Sequence, residues 1–127
     1  MSWNVSTEVV DMEFKIVSDD GSITRIDIVG DLSPDRPEAF PLHESLGDAI
    51  YAKRVLLNLE GSPFINSPGL GWLLMNHRKF REAGGHCVMH SVPPAVLQAM
   101  KLMQLDRRLP LANDATEAAV KVMEAAK

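Results

Sequence analysis

The chain has 127 residues, one domain's worth, since length divided by ~150 gives roughly 0.85. Its 46% hydrophobic and 24% charged residues argue against wholesale disorder, and Lys+Arg 13 against Asp+Glu 17 leaves a net charge of −4. That balance disfavours nucleic acid or an anionic membrane as partner, and no apolar run approaches the ~20 residues that span a bilayer.

Residues 1–11 show no clear period and are read as an N-terminal segment, followed by a single domain over 12–127. Met1-Ser2-Trp3-Asn4 has no basic region leading into an apolar one, so no signal peptide is expected and a cytoplasmic location is. Met12, Phe14 and Ile16 alternate with Glu13 and Lys15, the period of a half-buried strand. Asp19-Asp20-Gly21-Ser22 is turn chemistry, and Ile23–Val29 reads as the second arm of a hairpin. Pro34, Pro37 and Pro41 exclude a continuous helix in the next stretch. A short helix starting near Pro41 would bury Leu42, Leu46, Ala49 and Ile50. Val55-Leu56-Leu57-Asn58-Leu59 is nearly continuously apolar, as in a central strand covered on both faces.

From Gly69 to about Ala83 the pattern turns helical, with Leu70, Leu73, Leu74 and His77 on one face and Gly84-Gly85 as its stop. His86–Ser91 is a fourth strand. Pro93-Pro94 opens a helix whose apolar stripe is Val96, Leu97, Met100 and Met103, and a short strand is placed near Leu109. Asp114-Ala115-Thr116-Glu117 has capping-box spacing and starts a last, Ala-rich helix. Strands alternating with helices after a hairpin give an α/β fold: a mixed four- to five-stranded sheet with about four helices.

Chemistry-bearing constellations are few. His86 and His90 lie four residues apart on a strand, ~13 Å at ~3.3 Å per residue, and Cys87 points to the other face. No metal site is expected there, and Cys87 reads as a small buried hydrophobe. His77 reads as a structural histidine on the inward helix face. No nucleophile–base pair or phosphate-cradling loop is present, so neither an enzyme nor a cofactor is expected. The most informative segment is Phe64-Ile65-Asn66-Ser67-Pro68-Gly69-Leu70-Gly71, between the buried strand and the best helix. Ser67 suits the N-cap and Pro68 the first helical position. Gly69 and Gly71 each cost up to ~1 kcal/mol against alanine and would keep the first turn bare, leaving the Ser67 hydroxyl accessible. A phosphate there would meet the helix dipole and free amides at Gly69 and Leu70. Trp72, opposite the Leu70–Leu73–Leu74–His77 face, suits a partner surface; the alternative is that Trp3 with the N-terminal segment, or a neighbouring helix, covers it.

Val55–Leu59, Phe64–Gly71, His77-Arg78 and Arg81-Glu82-Ala83-Gly84-Gly85, together with Gly30-Asp31-Leu32 and Val96–Leu105, resemble the STAS family, which is named for sulfate transporters and anti-sigma-factor antagonists. The resemblance covers roughly residues 12–125 and implies a small STAS-like fold. It implies a non-enzymatic, phosphorylation-switched regulator whose partners are an anti-sigma factor or a GHKL-type serine kinase. Regulatory members carry Asp-Ser-Ser-Gly in this loop, so Ser67 matches the phosphoacceptor, Asn66 the Asp and Pro68 the second Ser. The implied partner surface comprises Asp31, Leu32, Asn66, Ser67, Pro68, Gly69, Leu70 and Gly71, with Trp72 added from the residue reading. A constitutive scaffold subunit of a transporter or signalling complex is the alternative, motivated by Asn66 and Pro68.

Overall fold

The computed structural model describes residues 12–125, so the readings of residues 1–11, Trp3 included, lie outside the described residues. Strand β1 (Glu13–Asp19) turns back into β2 (Thr24–Val29) through Asp19–Ile23, where carboxylates take the main-chain N–H groups of Gly21, Ser22 and Ile23 at 2.8–3.0 Å. Helix α1 (Leu42–Leu46) and a 3-10 turn (Asp48–Ala52) lead to β3 (Arg54–Gly61). Helix α2 (Ser67–Ala83), β4 (His86–His90), α3 (Pro94–Leu102), a 3-10 turn (Leu105–Arg107), β5 (Leu111–Ala112) and α4 (Ala115–Ala125) follow.

The five described strands form one mixed sheet in chain order, β1-β2-β3-β4-β5. β1 is antiparallel to β2 and every later pair is parallel, because each later connection carries a helix or helical turn back across the sheet. The period of two divides the core. Ile26, Ile28, Val55, Leu57, Leu59, Cys87 and Met89 share a core with residues of α1, α2 and α3. Leu56, Val88 and Ala112 turn to the other face, where Ala118 and Val122 of α4 cover them. β3 is thus covered on both faces, as its apolar run requires.

Local details depart from the sequence reading where tertiary position overrides pattern. The helix begun at Pro41 breaks at Gly47, whose φ of 89° belongs to the region glycine favours. Leu42 and Ile50 are buried on either side of that break, Leu46 is half-buried and Ala49 is exposed. Ile16 is 47% exposed because β1 is the sheet edge and its register shifts at Val17. Met103 leaves the apolar stripe because α3 ends at Leu102, and it is 62% exposed. The last strand forms at Leu111–Ala112 rather than Leu109. Asp114 caps α4 by accepting the Glu117 N–H at 2.9 Å, while the Glu117 carboxylate accepts the N–H of Asn113 instead of closing back on Asp114.

Candidate functional site

The loop after β2 and the loop after β3 are clamped side by side at the carboxyl ends of these parallel strands. Gly30 N–H donates to the Gly61 C=O (3.1 Å), Leu32 N–H to Phe64 C=O (2.8 Å), and Asn66 N–H back to Leu32 C=O (3.1 Å). Leu32 and Ile65 form one further parallel bridge beyond the β2–β3 ladder. Ligands and partners of α/β sheets commonly meet this end of the strands, since loops there are held by a rigid scaffold.

Asn66, rather than Ser67, is the N-cap of α2. Its side-chain oxygen accepts the Gly69 N–H at 2.7 Å and its amide donates to the Pro34 C=O at 3.3 Å. One side chain therefore closes the helix end and ties it to the loop after β2. An aspartate could make the first bond but not the second, having no hydrogen to donate. Ser67 becomes the first helical residue and is exposed; Pro68 follows within the turn whose N–H groups have no helical partner. Asn66→Ala is expected to cost about 1–2 kcal/mol, the usual value of a lost cap, read from the urea midpoint.

The sequence reading of the two glycines is corrected here. A Cβ on Gly69 would collide with the Leu32 carbonyl oxygen and lie 2.9 Å from Ile65 Cγ1. A Cβ on Gly71 would lie 3.0 Å from Pro37 Cγ. Both glycines let the helix approach the loop after β2; they do not bare Ser67. Nor are the amides free, because Gly69 N–H is taken by the Asn66 side chain and Leu70 N–H by the Asn66 C=O at 3.1 Å. Neither of these amides is therefore left to cradle a phosphate on Ser67.

Of the nine residues the sequence singled out, Asp31 and Ser67 are exposed and Asn66, Pro68 and Gly71 are half-buried. Leu32, Gly69 and Leu70 are buried, which removes the two leucine side chains from any docking face. Trp72 is a clear correction: it is 1% exposed, stacked on Phe14 at 5.6 Å between centroids, and its Nε1–H donates to the Phe40 C=O at 3.2 Å. The buried stripe of α2 is Gly69, Leu70, Trp72, Leu73, Asn76 and Phe80, rotated from the Leu70–Leu73–Leu74–His77 face read from the sequence, of which Leu70 and Leu73 are buried. Gly69 and Asn76 hid it, since neither is apolar; Asn76 is buried by donating to the Trp72 C=O at 2.8 Å. His77 and Leu74 are only half-buried.

The surface gains residues that the sequence reading did not single out. Phe64, 53% exposed, stands three residues before Ser67, and Phe40, 38% exposed with φ 52°, gives its C=O to the Trp72 Nε1–H. The signal was present in Phe64, an aromatic outside any periodic element. Cys87 is buried, and burial pushes its thiol far above the usual range, away from reactivity. His90 is buried against the Ser91 hydroxyl at 2.8 Å, and burial, then the Arg25 charge, lowers its pKa. Among the described residues no group of three or more His, Cys, Asp or Glu is placed to hold a metal, and no described helix is long and apolar enough to cross a membrane.

A helix cap, two clamped loops, an exposed hydroxyl at Ser67 and an exposed aromatic at Phe64 thus lie at the loops that follow β2 and β3 in a small α/β fold. The STAS domain model matches residues 15–118, and the chain belongs to that family. In fold it is similar to the protein TM1081 of Thermotoga maritima, with TM-score 0.69 and 21% identity over 88% of this chain and 94% of that one. An anti-sigma factor antagonist from Mycobacterium paratuberculosis gives TM-score 0.69 and 19% identity over 89% and 95%. The murine anion transporter Slc26a9 gives 0.67 and 12% over 81% of this chain but only 18% of the transporter. Among curated protein sequences no match is found.

Proposed function

We propose that this protein is a non-enzymatic, cytoplasmic partner-switching regulator of the anti-sigma-factor-antagonist type. In this reading it docks an anti-sigma factor or GHKL-type serine kinase through the end of the sheet that carries Asp31, Phe64 and Ser67. The observation that carries the reading is Ser67: exposed, first in a 17-residue helix, and fixed in place by the Asn66 cap. Phosphorylation adds about −1.5 to −2 charges at that point, and the positive end of the helix favours them. Because the Gly69 and Leu70 amides are already used, the new charge falls on whatever is docked and expels it.

Incubation with the cognate serine kinase and ATP is expected to place one phosphate on Ser67, read by peptide mass spectrometry. Ser67→Asp is expected to weaken partner binding at least tenfold by calorimetry, while Ser67→Ala leaves it unchanged. Absence of phosphate at Ser67, with equal binding by both variants, would instead favour a constitutive scaffold. That second reading draws on a specific observation: the place of the family's loop aspartate is held by Asn66, whose amide is committed to the Pro34 C=O, and Pro68 stiffens the following residue. It also accords with the likeness to part of a transporter.

A further inference from the structure

The net charge of −4 is unevenly placed over the fold. The connections that leave the carboxyl ends of β2, β3, β4 and β5 carry Asp31, Asp35, Glu38 and Asp114 against a single cation, Arg36. Helices α2 and α3 run back to the amino ends of the next strands, and on that face the balance reverses. The last turns of α2 and α3 and the connection into β5 bring Arg81, Lys101, Arg107 and Arg108 against Glu82 and Asp106, all six exposed. Among the described residues the one ion pair is Lys53 with Asp19, so none of these four cations is paired.

The same corner carries the two most exposed large apolar side chains among the described residues, Leu102 at 78% and Met103 at 62%. Helix α3 stops at Leu102, and Gln104, with φ 59°, turns the chain. The turn is held by main-chain bonds. Met103 N–H donates to the Ala99 C=O at 3.3 Å, Gln104 N–H to the Lys101 C=O at 3.0 Å and Leu109 N–H to the Leu105 C=O at 2.8 Å. Met100 before the turn and Leu105 and Leu109 after it are buried in the core. Leu102 and Met103 therefore project from a fixed convex turn rather than from a frayed end. A lone exposed leucine is ordinary; two adjacent apolar side chains ringed by unpaired cations are not.

We propose that this corner docks on the surface of an anionic lipid bilayer. Leu102 and Met103 enter the boundary between headgroups and acyl chains, and Lys101, Arg107 and Arg108 meet the lipid phosphates and carboxylates. Two side chains on a convex turn offer far less area than the ~1,200–2,000 Å² of a specific protein interface, whereas a bilayer closes around any projecting group. The uneven charge also orients the molecule. The eight residues of β3 separate its two ends by about 26 Å at ~3.3 Å per residue, some three Debye lengths at ~8 Å each. The acidic carboxyl end is thus screened from the lipid and faces water. The contact is peripheral, and it does not rest on the role given to Ser67.

The test is co-sedimentation of the chain with extruded vesicles of phosphatidylcholine alone, and of phosphatidylcholine mixed equally with phosphatidylserine. Binding is expected to the mixed vesicles only, and it should weaken as salt is raised. Leu102→Ser with Met103→Ser, and separately Arg107→Glu with Arg108→Glu, are each expected to weaken it at least fivefold. Lys15→Glu, an exposed charge reversal on the far edge strand, should leave it unchanged. On the unaltered chain, a spin label on the lipid acyl chain is expected to broaden the Leu102 and Met103 methyl resonances first, which keeps the outcome independent of how the variants fold. No binding to the mixed vesicles, broadening centred on other residues, or binding by both double variants equal to the parent's would overturn the proposal. So would shifts of the two methyls by soluble polyglutamate as large as those by the vesicles, the mark of an acidic protein partner.

Discussion

Trp72→Ala is expected to destabilise the domain by about 3–5 kcal/mol, the range for deleting a fully buried large aromatic side chain. Domains of this kind have only about 5–15 kcal/mol to lose, so the urea midpoint should fall sharply. Three separate contributions converge on the side chain: near-complete burial, the stack on Phe14 with planes 12° apart, and the Nε1–H bond to the Phe40 C=O. Trp72→Phe keeps the aromatic contact and loses the donor, and its expected loss is smaller, about 1–2 kcal/mol. Were Trp72 instead a surface anchor, the alanine variant would melt like the parent and fail only in partner binding. Far-UV circular dichroism through a urea series separates these outcomes without any partner.

Gly69→Ala is the second large effect, and its sign opposes helix propensity. Inside a helix alanine is better than glycine by up to ~1 kcal/mol. Here the new methyl would meet the Leu32 carbonyl oxygen, a main-chain atom that cannot rotate aside, and Ile65 Cγ1. That carbonyl also accepts the Asn66 N–H, so displacing it loosens the clamp between the two loops. Overpacking of this kind costs about 1–3 kcal/mol, and we expect about 3. Gly71→Ala is the comparison: its methyl meets only the Pro37 ring at 3.0 Å, at the half-exposed rim, and its loss should stay under about 1 kcal/mol. Equilibrium unfolding of the two variants side by side checks the difference.

The alternation of strands and helices was legible because β2 is buried on the face its period indicates and β3 on both, whereas the edge strand β1 leaves Ile16 exposed. The Asp114 cap, though not the closed box, and the hairpin turn at Asp19–Ile23 were legible because both are local chemistry. What escaped the sequence depends on neighbours far along the chain. Trp72 looked exposed because the stripe was drawn through leucines, while the actual buried line passes through Gly69 and Asn76. Gly69 looked like a bared helix start because nothing in residues 64–71 announces that the Leu32 carbonyl lies against them. The N-cap was displaced by one residue because Asn66 and Ser67 are both good caps, and the Pro34 C=O, thirty-two residues away, favours the one with an N–H to give. The hydroxyl at Ser67 and its exposure agree with the sequence reading, and the free amides beside it do not.

The identity of spatial and chain order in the sheet has a consequence for how the molecule is made. No strand must wedge between two that are already joined, so each ribosome-emergent segment can add to the growing side of what precedes it. The late element α4 is different in kind, because it is the cover of Leu56, Val88 and Ala112 on the second face. A chain stopped before Ala115 would retain all five strands yet expose a bare apolar strip. Its failure would be aggregation of a paired sheet rather than loss of pairing.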